Sequence, residues 1–124
     1  HVTGELVCVF GCGGDRDAGK RPEMAREAER LADRVVVTDD NPRSEDPETI
    51  ARHILAGFTD AARVSVIHDR AEAIQSTIRS ATPNDVVLIA GKGHEAYQEI
   101  AGQKYPFSDA EQVRHVLKLN GGVA

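Results

Sequence analysis

Four short apolar runs punctuate the chain: Leu6–Phe10, Val35–Thr38, Val64–Ile67 and Val86–Ala90. Each is rich in β-branched residues and nearly continuous rather than alternating. That pattern predicts strands covered on both faces, as in a parallel sheet between layers of helices. Between the runs the apolar positions switch to helical spacing. In Pro22–Ala32, residues Met24, Ala25, Ala28, Leu31 and Ala32 fall on one stripe, and Pro22 sits in a first turn where its missing N–H costs nothing. In Asp46–Phe58, Asp46 can cap, Pro47 takes the first helical position, and Ile50, Ile54 and Leu55 face inward. In Asp69–Ala81, Asp69 and Glu72 have capping-box spacing ahead of the stripe Ala73, Ile74, Thr77 and Ile78. Ser108 and Glu111 repeat that spacing before Val113, Val116 and Leu117, and Asn120-Gly121-Gly122 ends the helix.

The order is β-α-β-α-β-α-β, followed by a hairpin and a helix. The hairpin pairs Tyr97–Ile100 with Gln103–Tyr105 about a turn at Ala101-Gly102, and would add antiparallel strands at a sheet edge. The expected fold is one α/β domain over residues 1–124: a Rossmann-like open, mostly parallel sheet with flanking helices and an antiparallel edge hairpin. In such sheets ligands gather beyond the C-terminal ends of the strands. That rule singles out the loops Gly11–Arg21, Asp39–Arg43 and Gly91–Glu95.

Composition narrows the partners. The chain has 124 residues, 40% of them hydrophobic, which is enough for one core. Its formal net charge of -5 and its 4% aromatic content argue against nucleic acid and anionic membrane surfaces as partners. No apolar run approaches membrane-spanning length and no signal-peptide pattern opens the chain, so a cytoplasmic location is expected. Cys8 and Cys12 are read as buried free thiols, and no zinc-ligand spacing accompanies them. The chain enters a strand almost at once after His1, which reads as a domain of a longer protein.

The first loop nearly satisfies two phosphate-binding patterns and completes neither. Arg16 stands where a third glycine would finish Gly11-x-Gly13-x-x-Gly, and Arg21 replaces the Ser/Thr that would follow Gly14-x-x-x-x-Gly19-Lys20 in a P-loop. Asp15 and Asp17 would also repel phosphate. Yet Arg16, Lys20 and Arg21 are many cations for a plain turn, so a carboxylate or phosphate site stays open beside a solvated turn. In the second loop, Asp39-Asp40-Asn41-Pro42-Arg43, the proline stiffens the backbone and could hold the Asn41 amide and Arg43 guanidinium in fixed directions. The same residues also suit a turn that caps the next helix, with Arg43 exposed. In the third loop, Gly91-Lys92-Gly93-His94-Glu95, the Gly91 carbonyl and the Glu95 carboxylate are acceptors suited to an ammonium group. His94 fits a hydrogen-bonded structural histidine better than a metal ligand, and no metal site is expected. Together these groups complement a zwitterion, most naturally an amino acid.

Three ordered segments carry a closer likeness: Gly13-Gly14-Asp15-Arg16-Asp17-x-Gly19-Lys20-Arg21-Pro22, then Thr38-Asp39-Asp40-Asn41-Pro42-Arg43, then Ala90-Gly91-Lys92-Gly93-His94-Glu95. In this spacing, and over Leu6 to Leu117, the chain resembles the C-terminal domain of the UDP-N-acetylmuramoyl-tripeptide synthetases, which are Mur ligases. The resemblance implies a three-domain enzyme of peptidoglycan synthesis. Its N-terminal domain holds the UDP-sugar end of UDP-MurNAc-L-Ala-D-Glu, and its central domain binds ATP and Mg2+. Both would lie outside these residues. The last domain binds the incoming amino acid and closes over ATP. The D-Glu carboxylate is activated as an acyl phosphate, and the amine of the third residue attacks it.

A D-N-P-R loop in this family marks enzymes that use meso-2,6-diaminopimelate, and Asp40, Asn41, Pro42 and Arg43 supply it. By position, Arg16, Asn41, Arg43, Gly91 and Glu95 match the family's diaminopimelate-binding residues, and Lys20 would lie nearer ATP or the acyl phosphate. The resemblance places no catalytic residue in this stretch, so the isolated chain is expected to be inactive. Two other readings remain on the residues alone. One is a stand-alone amino-acid-binding module without catalysis. The other is a nucleotide-binding regulatory domain built on Gly14–Lys20, which the missing Ser/Thr disfavours.

Overall fold

The apolar runs become strands at nearly the residues their pattern marks. The computed structural model describes residues 4–14, 18–90, 97–100, 103–106, 109 and 113. The elements are β1 (Leu6–Phe10), α1 (Lys20–Leu31), β2 (Arg34–Val37), α2 (Pro47–Leu55), a 3-10 turn (Ala61–Arg63), β3 (Val64–Val66), α3 (Arg70–Ser80), β4 (Val86–Ile89), β5 (Tyr97–Ile100) and β6 (Gln103–Pro106). β1 to β4 form one parallel sheet in the order β3-β2-β1-β4.

The two-residue alternation of the central strands sorts the core into two layers. Cys8 and Phe10 of β1 join Val35 and Val37 of β2 beneath Ala25, Ile50 and Ile54 of α1 and α2. Val7, Val9 and Val36 point the other way, toward Ala73 of α3. These strands are thus covered on both faces, as continuous apolar runs predict. β4 is not: Val86 and Leu88 are exposed, so the expectation of double cover fails at this edge strand.

The helix starts follow their caps. Asp46 accepts from the Glu48 N–H at 3.1 Å ahead of Pro47, and Asp69 accepts from the Glu72 N–H at 3.1 Å. α1 departs from its expected stripe, because Met24 and Leu31 are 44% and 61% exposed. The buried series is instead Arg21, Ala25, Glu29 and Ala32. Its two charged members are turned inward by partners the apolar pattern does not see. Glu29 accepts from the Thr59 and Asp60 backbone N–H groups, and Arg21 pairs with Glu45. α1 thereby leans on α2 and its C-terminal turn; a Cβ on Gly57 would lie 2.3 Å from the Pro22 carbonyl oxygen. Met24 and Leu31 are left lining an open groove of ≈ 400 Å³ with Leu6, Cys8 and Leu88.

β5 and β6 pair antiparallel as expected, but they form a separate two-stranded sheet rather than extending the main one. Asp109 and Val113 are helical. The rest of the expected Ser108–Leu117 helix, its Asn120–Gly122 stop and the Ala101-Gly102 turn lie outside the described residues. Among the described residues, no helix is long and apolar enough to cross a membrane.

Candidate functional site

Parallel pairing brings the C-terminal ends of β1, β2 and β4 to the same end of the sheet, where the loops after β1 and β2 leave it. The first two loops are fastened together. The Thr38 N–H donates to the Phe10 carbonyl at 2.9 Å, and the Gly14 N–H donates to the Asn41 carbonyl at 2.7 Å. Gly14 is required by this approach, since a Cβ there would lie 1.8 Å from the Pro42 carbonyl oxygen.

Arg43 is the focus of the pair. Its backbone is left-handed, with φ 56°. For a non-glycine residue that conformation costs about 1–2 kcal/mol and persists where the surroundings over-determine it. The surroundings here are buried Pro42 on one side and the helix start at Asp46 on the other. The half-buried side chain is anchored too: Nη1 donates to the Gly14 carbonyl at 3.0 Å and to the Asn41 carbonyl at 3.4 Å. A guanidinium so aimed is suited to a carboxylate.

Asn41 lies deeper than expected, with its side chain 2% exposed. Its carbonyl holds Gly14 and Arg43, so it works from beneath the surface. Asp40 is half-buried and Lys20 is exposed at the start of α1. Arg16, Gly91, His94 and Glu95 lie outside the described residues.

Of the first loop's cations, Arg21 is turned inward rather than toward a ligand. It is 1% exposed, and its two terminal nitrogens each meet a Glu45 carboxylate oxygen at 2.8 Å. Nη2 also donates to the Gly13 carbonyl at 3.0 Å. His53 Nδ1 lies 3.0 Å from Nη1 and is the acceptor, since a guanidinium only donates. The arginine that replaces a P-loop Ser/Thr is therefore a tie between the first loop and α2. Cys12, beside it, has its thiol pushed up to about 11 by burial, against the pull of Arg21, so it stays a neutral core thiol rather than a nucleophile.

Sequence reasoning passed over the support beneath the second loop. His68, after β3, places Nδ1 2.7 Å from Asp39 Oδ1 and Nε2 3.3 Å from Glu48 Oε1. It thus grips residues on either side of Asp40–Arg43. The hydrogen bond to Asp39 raises the His68 pKa, while burial raises that of the Asp39 carboxyl against the opposing pull of His68. Arg70, the first residue of α3, is fully buried and reaches Asp109, Asp39 and Ala90. A cation directly after an N-cap was the available signal, because a helix start disfavours positive charge unless something else demands it.

Among the described residues, no group of three His, Cys, Asp or Glu side chains is placed to hold a metal ion. What the described residues provide is a stiff loop with an anchored guanidinium at the C-terminal end of the sheet.

Residues 1–93 match the sequence family described as "Mur ligase, glutamate ligase domain". The chain is 59% identical over 117 residues to the UDP-N-acetylmuramoyl-L-alanyl-D-glutamate--2,6-diaminopimelate ligase of Ectopseudomonas mendocina, covering 94% of this chain and 24% of that protein. The ligases of the same name from Pseudomonas aeruginosa and Coxiella burnetii are 58% and 56% identical over the same shares. A solved structure of a ligase of that name superposes with a TM-score of 0.92 at 47% identity, over 99% of this chain and 26% of that one. The chain thus spans about a quarter of the length of the curated relatives it matches.

Proposed function

This chain belongs to the Mur ligase family, as its glutamate ligase domain, and from that premise we propose that it is the amino-acid-binding domain of an ATP-dependent ligase. The ligase adds meso-2,6-diaminopimelate to UDP-MurNAc-L-Ala-D-Glu during peptidoglycan synthesis in the cytoplasm. Relatives at 56–59% identity that carry this activity in their names support the reading. The observation that carries it is the strained, doubly anchored Arg43 at the mouth of the loops.

In this reading Arg43 pairs with a carboxylate of diaminopimelate. Asn41 serves the site from below, its carbonyl setting the direction of Arg43. Pro42 and Asp40 keep the loop stiff and short. Arg16 takes a second carboxylate, and the Gly91 carbonyl and Glu95 accept from an ammonium group. Lys20, exposed at the start of α1, faces the phosphates when the domain closes.

ATP and Mg2+ belong to the ligase as a whole. The described residues do not form a nucleotide site by themselves, because Arg21 stands at the P-loop's Ser/Thr position with its side chain turned inward to Glu45. This domain's share of catalysis is to hold the amine in line, which is worth several kcal/mol of barrier, about 7–11 at the upper limit. The test is product formation from ATP, UDP-MurNAc-L-Ala-D-Glu and labelled meso-diaminopimelate. The intact protein should make the tripeptide and this chain alone should not. An intact protein that transfers no diaminopimelate would refute the proposal.

A further inference from the structure

Arg70 sits where stability alone would not put it. It is the first residue of α3, at the positive end of the helix dipole, and its side chain is fully buried. A charge taken out of water costs several kcal/mol unless it is paired and hydrogen-bonded, and a well-packed apolar residue would commonly serve the core as well. Asp109 offsets the charge with a two-pronged pair, Nε to Oδ1 at 2.7 Å and Nη2 to Oδ2 at 2.8 Å. The remaining contacts are the informative ones. Nη2 also donates to the Ala90 carbonyl at 3.2 Å, and Nη1 lies 3.4 Å from the Asp39 carbonyl.

Those two carbonyls occupy matching places. Asp39 follows β2 directly before Asp40–Arg43, and Ala90 follows β4 directly before Gly91–Glu95. β1 lies between the two strands, so their axes are about 10 Å apart. Backbone carbonyls are strong acceptors that a buried donor can hold in place. One planar guanidinium contacts both, and its fork geometry ties their positions together. An ammonium on a flexible stem could satisfy one carbonyl but would not fix the pair.

We propose that Arg70 is a positioning residue for amino-acid recognition: held by Asp109, it sets the spacing between the end of β2 at Asp39, directly before Asp40–Arg43, and the end of β4 at Ala90. The inference rests on the reading of those loops as the diaminopimelate site. A rigid spacing suits a ligand with charged groups at both ends, because each end is read by a different loop.

The experiment uses the intact ligase with Arg70→Lys and Asp109→Asn. KM is measured separately for the amino acid, ATP and the UDP-linked dipeptide, together with the melting temperature. Misplacement by about 1 Å costs on the order of 100-fold, so Arg70→Lys should raise the KM for diaminopimelate by about 10- to 100-fold. The other two KM values should stay within about twofold. Asp109→Asn should move the same constant in the same direction by less. A purely structural Arg70 would lower the melting temperature and leave all three KM values of the folded enzyme alone. Unchanged KM values, or all three rising together, overturn the proposal. If Arg70→Lys does not fold, the same comparison is read from Asp109→Asn. Wild type is assayed first with diaminopimelate and with lysine. If it takes lysine, the reading of the site fails, and the KM for lysine in the variants still decides the role of Arg70.

Discussion

Gly14→Ala adds one methyl group at the seam between the first two loops. Its Cβ would lie 1.8 Å from the Pro42 carbonyl oxygen and 2.6 Å from the Pro42 carbonyl carbon. Ordinary carbon contacts begin near about 3.5 Å, so the loops must part by more than 1 Å. Neither side can yield cheaply, because Pro42 is fixed in φ and buried, and both atoms struck belong to the backbone. Overpacking of this kind costs about 1–3 kcal/mol.

The displacement also stretches the Gly14 N–H to Asn41 bond of 2.7 Å and the Arg43 to Gly14 bond of 3.0 Å. The first is worth about 0.5–1.5 kcal/mol and the second, from a charged donor, about 1.5–3. Partial loss of both brings the total to about 2–5 kcal/mol, a large fraction of the 5–15 kcal/mol typical of a domain. Thermal unfolding of this chain should shift down by roughly 10 °C or more. In the intact ligase the KM for diaminopimelate should rise about 100-fold, because Arg43 loses its anchor and its aim. Differential scanning calorimetry and initial-rate kinetics read the two effects. A Gly14→Ala enzyme with wild-type melting and wild-type KM would refute the claim that the loops are fastened here.

Two further outcomes test the scaffold. Glu45→Ala leaves the Arg21 guanidinium buried without its carboxylate, so denaturant unfolding should show a loss of about 3–5 kcal/mol, while Glu45→Gln should lose less. His68 has a raised pKa in the fold, so its contribution to stability is fully present below its unfolded pKa and is lost as pH rises through the higher folded value. Urea midpoints taken from pH 6 to pH 9 should therefore decline in wild type and flatten in His68→Asn. Parallel curves for the two proteins would remove His68 from the support of the loop.

How much was legible in the sequence depended on what each residue answers to. β1 and the starts of α2 and α3 follow from local patterns, and so they appear where Leu6–Phe10, Asp46-Pro47 and Asp69-x-x-Glu72 predict them. The face of α1 was misread because Glu29 finds its partners at Thr59 and Asp60, and Arg21 finds its own at Glu45, all distant in sequence. Leu88 and Val86 carry the residue types of a core strand, yet β4 is an edge whose cover depends on tertiary placement. Asn41-Pro42-Arg43 announced a stiff loop, but the left-handed backbone of Arg43 and the burial of Asn41 come from the fit against Gly14. Arg70 and His68 drew no attention because neither lies in a ligand loop; each acts through backbone or carboxylate groups that only the fold brings to it.

The central claim is that Arg43 selects the amino acid, and its most direct test is kcat/KM for meso-diaminopimelate and for lysine in wild type and Arg43→Ala. Lysine shares the α-amino acid end and the distal amine but lacks the distal carboxylate, so it would leave the guanidinium without its anion. Sites built to bond a polar group can reject such an analogue by about 10⁴-fold without editing. Losing one partner of a desolvated charge pair costs about 2–5 kcal/mol. Arg43→Ala should therefore lower kcat/KM for diaminopimelate by about 30- to several thousand-fold, with little change for lysine, and the ratio should collapse toward unity. Arg43→Lys should recover only part of it, since an ammonium cannot reproduce the fork. A wild-type enzyme that uses both amino acids equally, or an Arg43→Ala enzyme that keeps the wild-type ratio, would contradict the account.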